Sequence, residues 1–301
     1  MFRPTLSRCT EDMNTNSTTH SGTRRVLVTG GTGMTGRRLT RLLTERGVDH
    51  RVGSRAGHPP TDTPRFDWHS PDTWDTALEG TDAVYLCYHP DLAFPGAGAT
   101  VAAFAERAAA QGVRRMALVS GRGEPEAQRA EQEVRAHFPD LTVLRCSFFA
   151  QNFSEGFFLD AVRSGTLALP VADVPEPFVD LDDVAEIAVR ALTEPGHAGE
   201  LYELTGPRAL SFAEAGGVLG AATGRPVAHL KVTPDEFVAG AAAQGTPEEL
   251  ARGLVALVQE VLDGRNVEPT DGVRRALGRP AGGFEDYAAK AAATGVWNRK
   301  A

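Results

Sequence analysis

The stretch Thr29-Gly30-Gly31-Thr32-Gly33-Met34-Thr35-Gly36 limits what this chain can fold into more than any other. Gly30, Gly33 and Gly36 have the spacing G-x-x-G-x-x-G. They follow the apolar run Val26-Leu27-Val28 and precede a segment in which Leu39, Leu42 and Leu43 share one helical face. A short apolar run of this kind suits a strand buried on both faces of a parallel sheet. The first glycine lets the chain turn sharply off the strand. The second lets backbone approach a pyrophosphate, and the third lets the helix pack closely on the sheet. The helix then aims free N–H groups and its positive dipole end at phosphates. Gly47 is placed to stop it, and Val48 to Ser54 supplies the next strand. The unit has roughly the ~30-residue length of a dinucleotide-binding βαβ element, the context that separates this motif from an ordinary glycine turn.

An NAD site usually carries Asp or Glu at the end of the second strand, ~20 residues past the glycines, to bond the ribose 2′-hydroxyl. Ser54 and Arg55 stand there instead. A guanidinium is planar, fully charged and able to bond two phosphate oxygens at once. Arg37, just after the last glycine, can help from the helix start. With no carboxylate to repel a 2′-phosphate, the sequence favours NADP(H), although both arginines also read as solvated surface residues.

The whole chain narrows the function classes. Its 301 residues suffice for one large α/β unit with a smaller lobe. The net charge is −8 and no basic stripe is present, so nucleic acid is not an expected partner. Cys9, Cys87 and Cys146 are too few and too far apart for a disulfide framework or a zinc site. No apolar run approaches the ~18 residues of a membrane span. Residues 1–23 are polar, without the apolar core of a secretion signal, and read as a disordered extension of a cytoplasmic protein. The oligomeric state is not readable.

Further strands follow in order. Arg65 to Trp68 reads as a short third strand. There Asp67 can accept from an adenine amine with Trp68 against the ring, or simply cap a turn beside a packed indole. Ala83 to Tyr88 is the fourth strand and Arg115 to Ser120 the fifth. Ligands of open α/β sheets bind beyond the carboxyl ends of strands, which places Cys87, Tyr88, His89 and Ser120 near the expected site. Tyr88, His89 and Ser120 are therefore the catalytic candidates. The helix after the fifth strand, in GRGEPEAQRAEQEVRAHFPD, holds neither Tyr nor Lys, so the usual acid of carbonyl reduction and its pKa-lowering partner are missing. Its glutamates read as a solvated face. The sixth strand, Leu141 to Arg145, runs into CSFFAQNFSEGFF, whose phenylalanines stand at 148, 149, 153, 157 and 158. Directly past a strand end, such a cluster forms core, pocket wall or both. Cys146 and Phe148 fall on the cofactor side of this stretch. His89, Phe149, Asn152, Phe153 and Phe157 fall on the substrate side. In FVDLDDVAEIAVRAL, Asp182 or Asp183 is placed to cap a helix, and Ser211 with Glu214 has the form of a capping box.

TGGTGMTG, LRCSFFAQNFSE, FVDLDDVAEIAVRAL and GELYELTGPRALSFAEA together resemble the NmrA-like group of atypical short-chain dehydrogenases/reductases. The resemblance runs from about residue 25 to the C-terminus. Within that group the chain is most similar to bacterial relatives of the festuclavine dehydrogenase-type ergot-alkaloid reductases, which also carry counterparts of Phe66-Asp67-Trp68 and of Asn152 to Glu155. The resemblance implies a Rossmann-type doubly wound parallel sheet with a smaller, mostly helical C-terminal substrate lobe. Residues 24–155 would form the NAD(P)-binding part, and residues 156–301 the lobe, with the chain crossing back to the sheet. It also implies NADP(H) and a small-molecule substrate, often of secondary metabolism. Some members of the group reduce quinones, alkenes or iminium ions, while others bind NADP(H) only as redox sensors. Three functions therefore stay open at this level. One is a reductase that works without a Tyr/Lys pair. The others are a non-catalytic NADP(H) sensor and a non-redox isomerase or cyclase with bound cofactor.

Overall fold

Val26–Val28 (β1) is fully buried, and its side chains alternate between two cores. The computed structural model describes residues 25–56, 63–171, 174–243 and 245–298. The expected extension, residues 1–23, lies outside them. From β1 the chain runs through Met34–Glu45 (α1), His50–Val52 (β2), Trp74–Leu78 (α2), Ala83–Leu86 (β3) and Ala97–Ala110 (α3). Arg115–Gly121 (β4), Pro125–His137 (α4) and Thr142–Cys146 (β5) follow. Five of these strands and Leu201–Leu204, the seventh strand, form one parallel sheet in the order β2-β1-β3-β4-β5 and then the seventh strand. The order reverses between β1 and β3, so the crevice beyond their carboxyl ends is the switch point where ligands of such sheets bind.

Helices cover both faces of this sheet. Val26, Val28 and Tyr85 face one core, while Leu27, Val84 and Leu86 face another that includes Val101 and Phe104 of α3 and Val134 of α4. This two-residue alternation is what a strand buried on both sides requires. The expected third strand is reduced to one parallel bridge, between Ser54 and Arg65. Past Arg65, the Asp67 amide donates to Thr73 Oγ1 and the Asp67 carbonyl accepts from Trp74 Nε1, so this backbone serves a turn and not a ladder.

The crossover from β5 carries a 3₁₀ turn at Ala150–Phe153, then Leu159–Ser164 (α5), Thr166–Leu169 (β6) and Leu181–Thr193 (α6), before Leu201–Leu204 (β7). Then come Phe212–Thr223 (α7), Ala228–Lys231 (β8), Pro234–Ala243 (α8), Glu248–Val261 (α9), Gly272–Leu277 (α10) and Phe284–Ala293 (α11). Strands β6 and β8 pair in parallel as a separate two-stranded sheet, which the polar sequence of β8 did not announce. A third core gathers Phe153, Phe158, Phe178, Phe212 and Phe284, and Trp297 Nε1 donates to the Phe153 carbonyl at 2.8 Å. Ser211 and Glu214 form the expected capping box of α7. The cap of α6 is Asp180, not Asp182 or Asp183. Its side chain accepts from the Asp182 amide, because the helix begins at Leu181, ahead of both of those residues.

Candidate functional site

The glycine turn has the geometry its spacing predicts. Gly30 has φ of +64°, a left-handed conformation that side chains resist. A Cβ on Gly36 would lie 2.3 Å from the Gly30 carbonyl oxygen, so only glycine lets α1 start this close to the turn. Gly33 is the N-cap and no side chain caps α1. Its first-turn amides have no partner within the helix. Thr32 and Gly33 are exposed and Met34 half-buried, whereas Thr35 is buried beneath the turn. Thr29 fixes the floor of the crevice: its Oγ1 donates to the Tyr85 carbonyl at 3.0 Å and accepts from the Cys87 amide at 2.9 Å. This ties the end of β1 to that of β3. The turn, the open helix end and the crevice fit a dinucleotide pyrophosphate.

At the end of β2, Ser54 is half-buried, and Arg55 is exposed with no ion pair to a described residue. Arg37 is placed differently from expectation. Its guanidinium pairs with Glu155, which also takes Arg38 Nη2 at 2.6 Å and Nη1 at 2.9 Å. Burial alone would raise the Glu155 carboxyl. Hydrogen bonds and charge from Arg38, joined by Arg37, hold it below its ordinary range. Arg37 thus shares its charge with Glu155, whereas Arg55 stands free of described carboxylates at the end of β2. Asp67 Oδ1 accepts from the His69 amide, and Trp68 is buried against Phe66, Trp74, Phe104 and Tyr88. Both therefore have the turn-and-core roles that the sequence allowed beside adenine contact.

The catalytic candidates separate. Tyr88 is half-buried and His89 exposed, both on the loop leaving β3. Ser120 is 4% exposed and its hydroxyl donates to Glu131 at 2.5 Å. Glu131 in turn holds Arg145 through Nε and Nη2, at 3.1 and 2.5 Å. Ser120 is committed to a buried ion-pair network between β4, α4 and β5. Cys87 and Cys146 flank β4, and burial pushes the Cys87 thiol up to about 11 and the Cys146 thiol higher still.

Beyond β5 the phenylalanines also separate. Phe153 is fully buried, with Phe158, Phe178, Phe212 and Phe284 around it, so it is core and not pocket wall. Phe148 and Phe149 are half-buried, and Phe157 is 46% exposed. Asn152 is buried, its Oδ1 lying where a Cβ on Gly156 would come within 2.7 Å. A cavity of about 220 Å³ lies between α1, the 3₁₀ turn, α6 and α11, lined by Arg38, Glu155, Asp182, Tyr287 and Lys290 among others. No strand-end residue lines it, and its charged walls do not suit an apolar substrate.

Three carboxylates were missed by sequence reasoning. The helix glutamates read as a solvated face, yet Glu131 is 2% exposed, and Glu124, at the start of α4, is pushed up to about 8, chiefly by burial. Glu176 is 2% exposed, accepts from the Phe148 amide at 3.1 Å and is raised by burial to about 7. The glycines at 121 and 123 were the available signal for Glu124, since they permit a turn that folds its side chain back. No comparable signal marked Glu176. Among the described residues, no cluster of His, Cys, Asp or Glu could hold a metal, and no helix is long and apolar enough to cross a membrane.

Residues 26–142 match the NAD dependent epimerase/dehydratase family. Over 281 residues the chain is 32% identical to an uncharacterized oxidoreductase of Bacillus subtilis, YesF, covering 90% of this chain and 97% of that one. The chain belongs to the atypical short-chain dehydrogenases/reductases. Agroclavine dehydrogenase of Claviceps fusiformis is 30% identical over 87% of this chain and 95% of its own. The fold is that of an NADPH-dependent quinone oxidoreductase from Escherichia coli, complexed with NADPH, at a TM-score of 0.74 and 19% identity over 88% of this chain and 99% of that one. Membership makes the chain an NAD(P)-dependent oxidoreductase by family.

Proposed function

We propose that this protein is an NADPH-dependent reductase of a small, largely apolar acceptor of the iminium, quinone or enone type, working without a Tyr/Lys pair. The observation that carries this reading is the βαβ unit itself, a helix start without a side-chain cap over a glycine turn, with Arg55 and no carboxylate among the described residues at the end of β2. Gly30, Thr32, Gly33, Met34, Thr35 and Gly36 would hold the pyrophosphate, and Ser54 and Arg55 the 2′-phosphate. The strand-end residues Cys87, Tyr88, Cys146 and Phe148 would border the nicotinamide. When bound, that cofactor supplies the hydride.

The rest is positioning by the chain, which lowers barriers by orientation and by excluding water. Phe149, Phe157 and Tyr88 offer aromatic faces on the acceptor side, with His89 at the rim. Such faces attract a cationic acceptor by cation–π interaction. Helix α4, with the sequence PEAQRAEQEVRAH, offers no tyrosine, which suits an acceptor already activated for hydride.

Fluorescence titration with NADPH and NADH, followed by a panel of acceptors, tests the reading. Tight NADPH, weak NADH and turnover of one acceptor class support it. Binding without turnover would favour the sensor, and product without net NADPH loss the isomerase or cyclase.

A further inference from the structure

Glu124 is the N-cap residue of α4, yet its carboxylate bonds no amide of that helix. A carboxylate at this position ordinarily satisfies first-turn amides and gains from the dipole. Here the side chain turns back over the end of β4. A Cβ on Gly121 would fall 2.0 to 2.1 Å from its carboxyl atoms, so glycine is what seats the carboxyl there. Gly121 pairs with Cys146 across the sheet, and the Glu124 charge helps to raise the Cys146 thiol. The carboxyl thus lies over the ends of the central strands, makes no hydrogen bond or ion pair with a described residue, and is only partly covered.

We propose that Glu124 is the proton donor of the reaction, delivering its carboxyl hydrogen to the carbonyl oxygen of a quinone or enone. This rests on the reductase reading above and narrows its acceptor class. The acceptor takes a hydrogen with two electrons at carbon from NADPH. As its oxygen gains charge, the Glu124 O–H bond breaks and the proton moves to that oxygen. NADP+ and a carboxylate remain, and water reprotonates the carboxylate. An alkoxide or enolate needs such a donor, and this chain has no tyrosine on α4 to provide it.

The surroundings favour a neutral carboxyl. Burial dominates, reinforced by Asp91 from the loop after β3, Glu260 of α9 and Glu131 of α4. The nearby cations are otherwise engaged. Arg122 faces Glu203 and the Asn266 carbonyl, Arg145 is held by Glu131 and Glu203, and Arg265 is held by Asp263. The thiols of Cys146 and Cys87 are themselves pushed up, so they add no competing acid near neutrality.

The test uses the full chain with NADPH, a benzoquinone and an N-alkyl iminium. Glu124→Gln should bind NADPH like the parent but lose about 100-fold in kcat on the quinone, the scale of general acid catalysis. Its loss on the iminium, which needs no proton, should be much smaller. The parent's quinone rate should fall above about pH 8 and the variant's should not. Independently of turnover, infrared spectra of the parent with NADP+ should show a protonated carboxyl band that disappears as pH rises through about 8 and is absent in the variant. A variant that reduces quinone within a few-fold of the parent, or a carboxyl that ionises in the ordinary range, overturns the assignment. A parent that oxidises no NADPH with any acceptor overturns the reductase reading too, and is told apart by needing no variant.

Discussion

Arg122 and Asn266, 144 residues apart, exchange hydrogen bonds. Arg122 Nη1 donates to the Asn266 carbonyl at 2.7 Å, and Asn266 Nδ2 donates to the Arg122 carbonyl at 3.1 Å. Asn266 Nδ2 also donates to the Val261 carbonyl at the end of α9, at 3.0 Å. The turn that carries Glu124 is thereby fastened to the C-terminal segments. Asn266→Ala would strip a buried carbonyl of its partner, at a cost of about 1–3 kcal/mol. Denaturant unfolding should show that loss, and the quinone rate should fall with it while NADPH affinity holds.

Arg55 is exposed at the end of β2 with no described carboxylate on it. Removing a hydrogen bond to a charged group costs about 1.5–3 kcal/mol. Arg55→Ala should therefore weaken NADPH by roughly 10- to 100-fold and leave NADH nearly unchanged. Equal effects on the two cofactors would dismiss Arg55 as the phosphate ligand.

Gly36→Ala introduces a methyl 2.3 Å from the Gly30 carbonyl oxygen and 2.6 Å from the Gly31 Cα. Both contacts are backbone, so the turn itself must move. Overpacking of this kind costs about 1–3 kcal/mol. A thermal scan should show the lost stability, and a titration should show NADPH binding weakened at least tenfold if the displaced turn is the phosphate cradle proposed above.

Glu131 and Arg145 form a buried pair whose members are 3% and 15% exposed at the side chain. Breaking such a pair from one side costs about 3–5 kcal/mol, because the remaining charge is stranded. Glu131→Ala should lose stability on that scale, and replacing both partners by apolar residues should recover most of it.

Glu176 gives stability a pH signature. Its folded carboxyl is raised to about 7, mainly by burial, from the ordinary 4.5 of the unfolded chain. Between those values the folded state holds a proton that the unfolded state has released. The contribution is complete below the unfolded value and is lost as pH rises toward 7. Glu176→Gln keeps an acceptor for the Phe148 amide and cannot ionise. Urea unfolding across that window should fall less steeply with pH in the variant than in the parent.

The sheet was legible because period and punctuation agree. Val26 to Val28, the glycine turn and the leucine face of α1 each point to the same βαβ unit, and so do the later apolar runs that became β3, β4 and β5. Arg65 to Trp68 misled because its hydrophobic residues pack on α3 while its backbone turns toward Thr73 and Trp74. Phe153 and Phe157 stand four apart, yet one is the centre of a core and the other is exposed, a distinction set by α7 and α11 arriving from far along the chain. Glu124 was hidden for a related reason. A glutamate at a helix start is solvated in most contexts, and only the turn at Gly121 and Gly123 shows that this one folds inward.

The hydrogen bond from Trp297 to the Phe153 carbonyl has a consequence for biosynthesis. The ribosome makes Trp297 144 residues after Phe153. At about 5–20 residues per second, roughly 7 to 30 seconds separate the two. The parallel sheet through β5 can assemble in that interval, while Phe153, Phe158 and Phe178 wait with their rings uncovered. A nascent chain of this length is where a chaperone would find the protein.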